Sequence, residues 1–375
     1  MEKLKVGILG ATGAAGNEFI IPLVEHPYFK IHSLHASSRS AGKTFEKACI
    51  LDTSSLPEEI KQMKVRSLDD IDQEVDIVCS ALPSEIAKKY EAIYAERFPV
   101  FSTTSAFRYE DDVPILITEI NPEHCKLLPK QKERGWKGFV APGPNCTTVG
   151  LVMSLKPIYD CFGIEEVVMS SYQSVSGGGK ELIDFWRRQR RRKINEALEP
   201  EEIFEEVEKM IEGNVIGYIP KEVDKVKKET LKILGDYCIG KINDANINLE
   251  CQCARVPVPK GHFETVFVKT KRKITKEKLI DVYNDFNDEC SENYGALPSS
   301  PKKTITILDR SPQPYYDVNL DKGMTTVVGM IEETFNGIKY QVLSNNLSKG
   351  AAKGSIQVAE LLYSKGLLKK DEGYK

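Results

Sequence analysis

Pro144-Asn145-Cys146-Thr147 stands between an apolar run, Trp136-Lys-Gly-Phe-Val-Ala-Pro142, and a helix-like one from Val149 to Leu155. That setting places Cys146 near a helix N-terminus, where backbone N–H groups and the macrodipole favour a thiolate. About a hundred residues later, Arg255-Val-Pro-Val-Pro-Lys-Gly261-His262 ends in a histidine able to serve as base or acid for a cysteine nucleophile. The plain alternative is one buried structural cysteine among the chain's nine.

Such a nucleophile needs a partner reagent, and the first segment provides for one. Leu4-Lys-Val-Gly-Ile-Leu-Gly10-Ala-Thr12-Gly13-Ala14-Ala15-Gly16 runs an apolar strand into glycines spaced by threes and then into a helix. Glycines there permit a tight turn and close approach to a pyrophosphate, which the helix N-terminus attracts. The second strand, Lys30 to Ala36, ends in Ser37-Ser38-Arg39 rather than in an acidic residue. Two hydroxyls and a guanidinium suit a ribose 2′-phosphate, so the cofactor reads as NADP rather than NAD. A solvated basic turn is the competing account.

These residues must be held by a fold, and its outline follows from the pattern. Strands are expected at 4–9, 30–36, 75–81, 98–103 and 137–141, with helical stretches between them such as Ser84 to Phe98; this alternation specifies a parallel sheet. From about residue 149 the pattern changes to long mixed or antiparallel strands at 165–175, 247–256, 262–270, 325–331 and 339–343, the last two forming a hairpin at Asn336-Gly337. The tail from Gly350 to Leu367 reads as a helix packing back on the first part. The division is 1–148 plus the C-terminal helix 346–375 for the cofactor domain, and 149–345 for the second.

At 375 residues the chain has volume for two cores. A net charge of −3 argues against a general polyanion binder, and no stretch is apolar enough for a membrane span or signal peptide. Nine cysteines at irregular spacing point to a reducing cytoplasm, and the Cys251-Gln-Cys253 pair to packing rather than metal; no metal site is expected. The basic run from Trp186 to Lys193, followed by an acidic stretch from Glu199 to Glu212, reads as an exposed helical face or subunit contact, not a nucleic-acid site.

Over nearly its whole length the sequence resembles the aspartate-β-semialdehyde dehydrogenases of the archaeal and fungal branch. The resemblance rests on Gly-Ala-Thr-Gly at 10–13, Ser-Arg-Ser-Ala-Gly-Lys at 38–43, Pro-Asn-Cys-Thr-Thr, Gln173-Ser-Val-Ser-Gly-Gly-Gly, Glu229-Thr-Leu-Lys232-Ile-Leu, Arg-Val-Pro-Val-x-x-Gly-His and Asn346…Gly350-Ala-Ala. It implies a Rossmann-like NADP-binding domain and an α+β catalytic and dimerisation domain of the glyceraldehyde-phosphate-dehydrogenase-like type. It also implies a cytoplasmic homodimer or homotetramer that reduces L-aspartyl-4-phosphate to L-aspartate-4-semialdehyde and phosphate, in biosynthesis of lysine, methionine and threonine.

The resemblance carries roles onto residues. Cys146 is the nucleophile that forms a thioester, His262 the acid/base, Asn145 and the Cys146 N–H the oxyanion donors, and Gln173 the group orienting the acyl chain. Arg255 clamps the α-carboxylate, Glu229 pairs with the α-ammonium, and Lys232 and Arg108 hold the phosphate. Ser176, Gly177 and Asn346 join the cofactor residues. Thr103 and Lys353 depart from the family pattern; Lys353 puts a long cation where a glycine lets backbone approach the cofactor. A malonyl- or succinyl-CoA reductase of the same fold is the alternative, and the retained Glu229 and Lys232 speak against it.

Overall fold

Strands buried on both faces need apolar residues at nearly every position, and Leu4-Lys-Val-Gly-Ile-Leu9 supplies them: Val6 and Ile8 have no exposed surface. In the computed structural model, which describes residues 2–191 and 210–368, this strand (β1, Leu4–Leu9) lies inside a six-stranded sheet. Its companions are β2 (Phe29–Ala36), β3 (Val65–Ser67), β4 (Ile77–Ser80), β5 (Pro99–Ser102) and β6 (Phe139–Pro142). All pairs are parallel and the order is β3-β2-β1-β4-β5-β6. Chain direction across the sheet reverses between β1 and β4, which is where such sheets open a ligand crevice.

Gly10 sits at that crevice with φ +75°, and a Cβ there would lie 2.6 Å from the Ala81 carbonyl oxygen. A Cβ on Gly16 would lie 2.2 Å from the Gly10 carbonyl oxygen, so the helix Ala14–Leu23 can close onto β1 only because residue 16 lacks one. The C-terminal helix spans Ala352–Ser364, and its Ile356, Ala359 and Leu362 share a core with Phe19 and Ile20 of this sheet's first helix.

The second sheet is mixed. It contains β7 (Ile164–Gln173), β10 (Asn248–Arg255), β11 (His262–Thr270), β12 (Ile305–Leu308), β13 (Thr326–Thr334) and β14 (Gly337–Ser344), ordered β10-β7-β11-β14-β13-β12. A separate two-stranded ribbon pairs β8 (Asp236–Cys238) with β9 (Lys241–Asn243). The helices Cys146–Phe162, Glu222–Ile233 and Lys276–Tyr294 bury Val149, Val152, Val226, Ile233, Leu279 and Tyr283 in one core with the inward residues of this sheet.

Differences from the sequence expectation have local causes. The strand expected at 75–81 shortens to Ile77–Ser80, and β3 and β12, three and four residues long, carry too little alternation to be seen. The β13–β14 turn consists of Phe335 and Asn336, because Thr334 pairs with Gly337. Gly337 is needed for a different reason: a Cβ there would lie well inside contact distance of the Val268 carbonyl on β11. Of the basic run, Arg187, Arg188, Arg190 and Arg191 lie exposed on the helix Gly179–Arg191, while residues 192–209, with most of the acidic stretch, lie outside the described residues.

Candidate active site

Four strand ends meet at one edge of the mixed sheet. Gln173 closes β7 and Arg255 closes β10, directly opposite each other in register. His262 opens β11 and pairs with Ser344 at the end of β14. Against this edge stands the N-terminus of the helix Cys146–Phe162, whose cap is Asn145: its Oδ1 accepts from the backbone N–H of Thr147 (2.8 Å) and Thr148 (3.3 Å). The helix therefore starts at the cysteine, as the sequence implied.

Cys146 Sγ lies 3.2 Å from His262 Nε2. The imidazole is fully buried, and its Nδ1 accepts from the Ser174 backbone N–H at 3.2 Å. With Nδ1 so engaged, the neutral ring carries its proton on Nε2, facing sulfur. Desolvation dominates the ionisation of both groups. It pushes the Cys146 thiol up to about 12, with the Glu222 charge adding to the rise and Arg255 and Arg108 opposing it. It holds His262 down at about 3, helped by the Arg255 charge. In the free site desolvation therefore outweighs the helix N-terminus that favours a thiolate, around a sulfur that is partly covered.

Arg255 spends both hydrogens of Nη1 on Gln173 Oε1 (3.3 Å) and the Ser174 carbonyl (3.0 Å), which leaves its Nε and Nη2 edge for a bidentate acceptor. Arg108 is anchored by four of its five donors, to the carbonyls of Gly143, Thr103 and Pro144 and to Glu229 Oε1 (3.1 Å). Lys232 Nζ donates to the carbonyls of Arg108 and Glu110, both at 2.9 Å, and burial lowers its pKa. One N–H each therefore remains on Arg108 and Lys232.

Two expected residues are more committed than spacing alone could reveal. Glu229, fully buried, accepts from Arg108 and the Tyr109 hydroxyl at Oε1, both 3.1 Å, and from the Asn145 N–H at Oε2, 2.5 Å. Asn145 gives its oxygen to the helix cap, its Nδ2 to Glu222 Oε1 (2.9 Å) and its own N–H to Glu229, so of the N–H groups at the helix start only that of Cys146 is not taken by another of the described residues. Glu222 is the residue that sequence reasoning passed over. It lies two helical turns before Glu229 on the same helix face, and that seven-residue repeat was the available signal.

On the cofactor side, Ser37, Ser38 and Arg39 are exposed at the end of β2, and Arg39 has no partner among the described residues. Thr12, Gly13, Ala14 and Ala15 form the turn and first helical residues after β1. Asn346 accepts from the Gly261 N–H (2.9 Å) and from the Ser174 hydroxyl (3.2 Å), and donates to the Ser176 hydroxyl (3.0 Å); it ties the 174–176 loop to the residue before His262. Gly177 covers the pair from above: a Cβ would stand 2.6 Å from Arg255 Nη1 and 2.9 Å from His262 Cε1. Thr103, Gly143 and Pro144 face Gly350, Ala351 and Gly354 across a cleft beside Cys146, and Lys353 is not among the residues lining it. Burial, with the neighbouring Lys322 adding to it, lowers the pKa of Lys353.

The donor set fits NADP: an anion-attracting helix start behind a glycine turn, and an unpartnered guanidinium with two hydroxyls where a 2′-phosphate would lie. Comparison with known proteins agrees. The chain matches the semialdehyde dehydrogenase NAD-binding domain over residues 5–128 and the semialdehyde dehydrogenase dimerisation domain over residues 155–349. It is 38% identical to aspartate-semialdehyde dehydrogenase of Archaeoglobus fulgidus over 98% of this chain and 100% of that one. The Candida albicans enzyme solved with NADP superposes with a TM-score of 0.81 at 31% identity, covering 97% of this chain and 99% of that one. A malonyl-CoA reductase (NADP) of Metallosphaera sedula is 31% identical over 98% of this chain and 99% of its own length. With archaeal and fungal relatives matched end to end, the chain belongs to the aspartate-semialdehyde dehydrogenase family.

Proposed function

We propose that the protein interconverts L-aspartyl-4-phosphate and L-aspartate-4-semialdehyde with NADP, through a thioester on Cys146. The observation that carries this reading is the Cys146–His262 contact of 3.2 Å beside an arginine edge with three unspent donors. Arg255 takes the α-carboxylate on its Nε and Nη2 edge, which fixes the acyl carbon over sulfur. Arg108 and Lys232 offer one N–H each and two positive charges to the phosphate that leaves. Cys146 Sγ attacks the acyl carbon, the acyl–oxygen bond to phosphate breaks, and the thiol's proton leaves with the phosphate, while the Cys146 backbone N–H faces the oxygen on which charge develops. His262, with its proton on Nε2, donates to that oxygen as charge develops on it. Gln173, held between Arg255 and Glu222, presents a rigid amide to the acyl chain.

Gly10, Thr12, Gly13, Ala14, Ala15, Ser37, Ser38, Arg39, Ser176, Gly177 and Asn346 would hold NADPH, which would supply the hydride. In the free site Arg255 and Arg108 are the two charges that oppose the rise in the thiol's pKa. The second domain presents Val168, Tyr172 and Phe267, each more than a third exposed, on the outer face of β7 and β11; this face supports a homodimer. Nothing in the helices described is long and apolar enough to cross a membrane.

The test is steady-state oxidation of L-aspartate-4-semialdehyde, with and without inorganic phosphate and with NADP or NAD. Phosphate-dependent NADP reduction is expected. Turnover of malonyl-CoA in place of the semialdehyde would instead support the thioester-reductase reading of the same fold.

A further inference from the structure

Glu91 stands where the helix Ser84–Ala95 calls for an apolar residue. Ala87, Tyr94 and Ala95 share its buried face, and Glu91 itself has no exposed surface. Its hydrogen-bond donors among the described residues are three hydroxyls. Oε1 accepts from Ser80 (2.7 Å), Ser102 (2.6 Å) and Thr104 (3.1 Å), and Oε2 from Thr104 at 3.3 Å. Burial raises its pKa, and the three hydroxyls and the Arg108 charge oppose that rise. An apolar side chain would fill the same face at less cost, so packing alone does not account for the carboxyl.

What the hydroxyls hold leads to Arg108. Ser80 ends β4 and Ser102 ends β5, opposite each other in register, and Glu91 ties the two strand ends together. Their carbonyls fix the chain that follows. The Ser80 carbonyl accepts from the Thr103 N–H (3.0 Å) and hydroxyl (3.3 Å), and the Ser102 carbonyl accepts from the Gly143 N–H at 2.7 Å. Thr103 and Gly143 in turn supply two of the three carbonyls that anchor the Arg108 guanidinium, at 3.0 and 2.8 Å. Thr104 closes the loop, its N–H donating to the Ser102 hydroxyl at 3.0 Å. The one N–H that Arg108 keeps free points where these anchors set it.

We propose that Glu91 is a positioning residue for the phosphate site: through Ser80, Ser102 and Thr104 it fixes the loop whose carbonyls aim Arg108 at the phosphate that enters in the oxidative direction. This rests on the proposed phosphate-dependent activity and adds the group that sets its phosphate affinity. Glu91 acts from beneath the loop, with no surface of its own open to substrate or cofactor.

The experiment follows oxidation of L-aspartate-4-semialdehyde with NADP at varied inorganic phosphate. Thr104→Val removes one hydroxyl while keeping the side chain's shape, and Thr104→Ser restores it. Thr104→Val should raise the KM for phosphate about 3- to 10-fold, leaving the KM for the semialdehyde and the NADP dissociation constant within about twofold of wild type. Thr104→Ser should stay within about twofold on all three. Glu91→Met takes the acceptor from all three hydroxyls and should raise the phosphate KM about 10- to 100-fold; Thr104→Val decides the matter where that variant does not fold. A purely structural role would lower the urea midpoint and the amount of active enzyme without moving a Michaelis constant. An unchanged phosphate KM in Thr104→Val, or a rise shared equally by the semialdehyde, overturns the assignment. Wild-type oxidation that does not depend on phosphate would overturn the phosphate-dependent activity itself, and the Glu91 assignment with it.

Discussion

Glu229→Gln should weaken the fold far more than its conservative size suggests. The carboxylate has no exposed surface, and the side chain of its partner Arg108 is 6% exposed. Removing one partner of a buried pair commonly costs about 3–5 kcal/mol because a charge is left uncompensated. Arg108 keeps three carbonyl acceptors, at 2.8, 3.0 and 3.1 Å, so the lower end, about 3 kcal/mol, is the expectation. The Asn145 N–H and the Tyr109 hydroxyl lose a charged acceptor as well, and the first of these lies beside the nucleophile. Urea unfolding of ligand-free protein measures this directly, as a lower midpoint at unchanged slope. Arg108→Met and the double variant complete a cycle, whose coupling should account for most of the single-variant loss. A loss below about 1 kcal/mol, accompanied by a raised KM for the semialdehyde, would refute the reasoning and return Glu229 to direct substrate contact.

Three other outcomes follow from particular side chains. Arg39→Ala should weaken NADP by at least about tenfold and leave NAD nearly unchanged, since Arg39 holds nothing else among the described residues; fluorescence titration with both dinucleotides checks it. Gly177→Ala puts a methyl against His262, which cannot retreat, and against Arg255; kcat/KM should fall about 100-fold with an unchanged circular dichroism spectrum. Glu264, two residues after His262 on β11, is fully buried with no hydrogen-bond partner on either oxygen among the described residues, and burial, with Cys253 adding to it, raises its pKa well above the usual value. Because the folded state then holds the proton more tightly than the unfolded chain, its contribution is present below about pH 4.3 and is lost as pH rises. Glu264→Gln should therefore become progressively more stable relative to wild type from about pH 4.5 toward neutrality, and a pH-independent difference in unfolding free energy would contradict this.

What the sequence disclosed, and what it withheld, divides along a physical line. Cys146 at a helix start, the strand at 262–270 and the glycine turn after β1 all come from local chemistry: a cap residue, a period-two alternation, a backbone needing no Cβ. Pairings between distant segments have no such signature. Nothing in Glu229-Thr-Leu-Lys232 shows that Arg108, 121 residues earlier, already occupies the glutamate, or that the lysine is bound to the Arg108 and Glu110 carbonyls. The same holds for Asn145, which looks like an oxyanion donor in sequence but gives its side chain to the cap and to Glu222. Ionisation divides in the same way: helix-end electrostatics is readable from sequence, whereas the desolvation that opposes it at Cys146 depends on how the folded chain covers the sulfur.

The central claim is that Cys146 carries the acyl group. Mixing the enzyme with NADP and L-aspartate-4-semialdehyde in the absence of phosphate stops the reaction at the thioester, because the group that would release it is missing. A burst of NADPH equal to the concentration of active sites is predicted, together with an acyl adduct, found by mass spectrometry of the acid-quenched digest, on the peptide containing Cys146. Cys146→Ala should show neither, while still binding NADP. A burst with the adduct on another residue, or NADPH formation by Cys146→Ala at a rate near that of the wild type, would contradict the account.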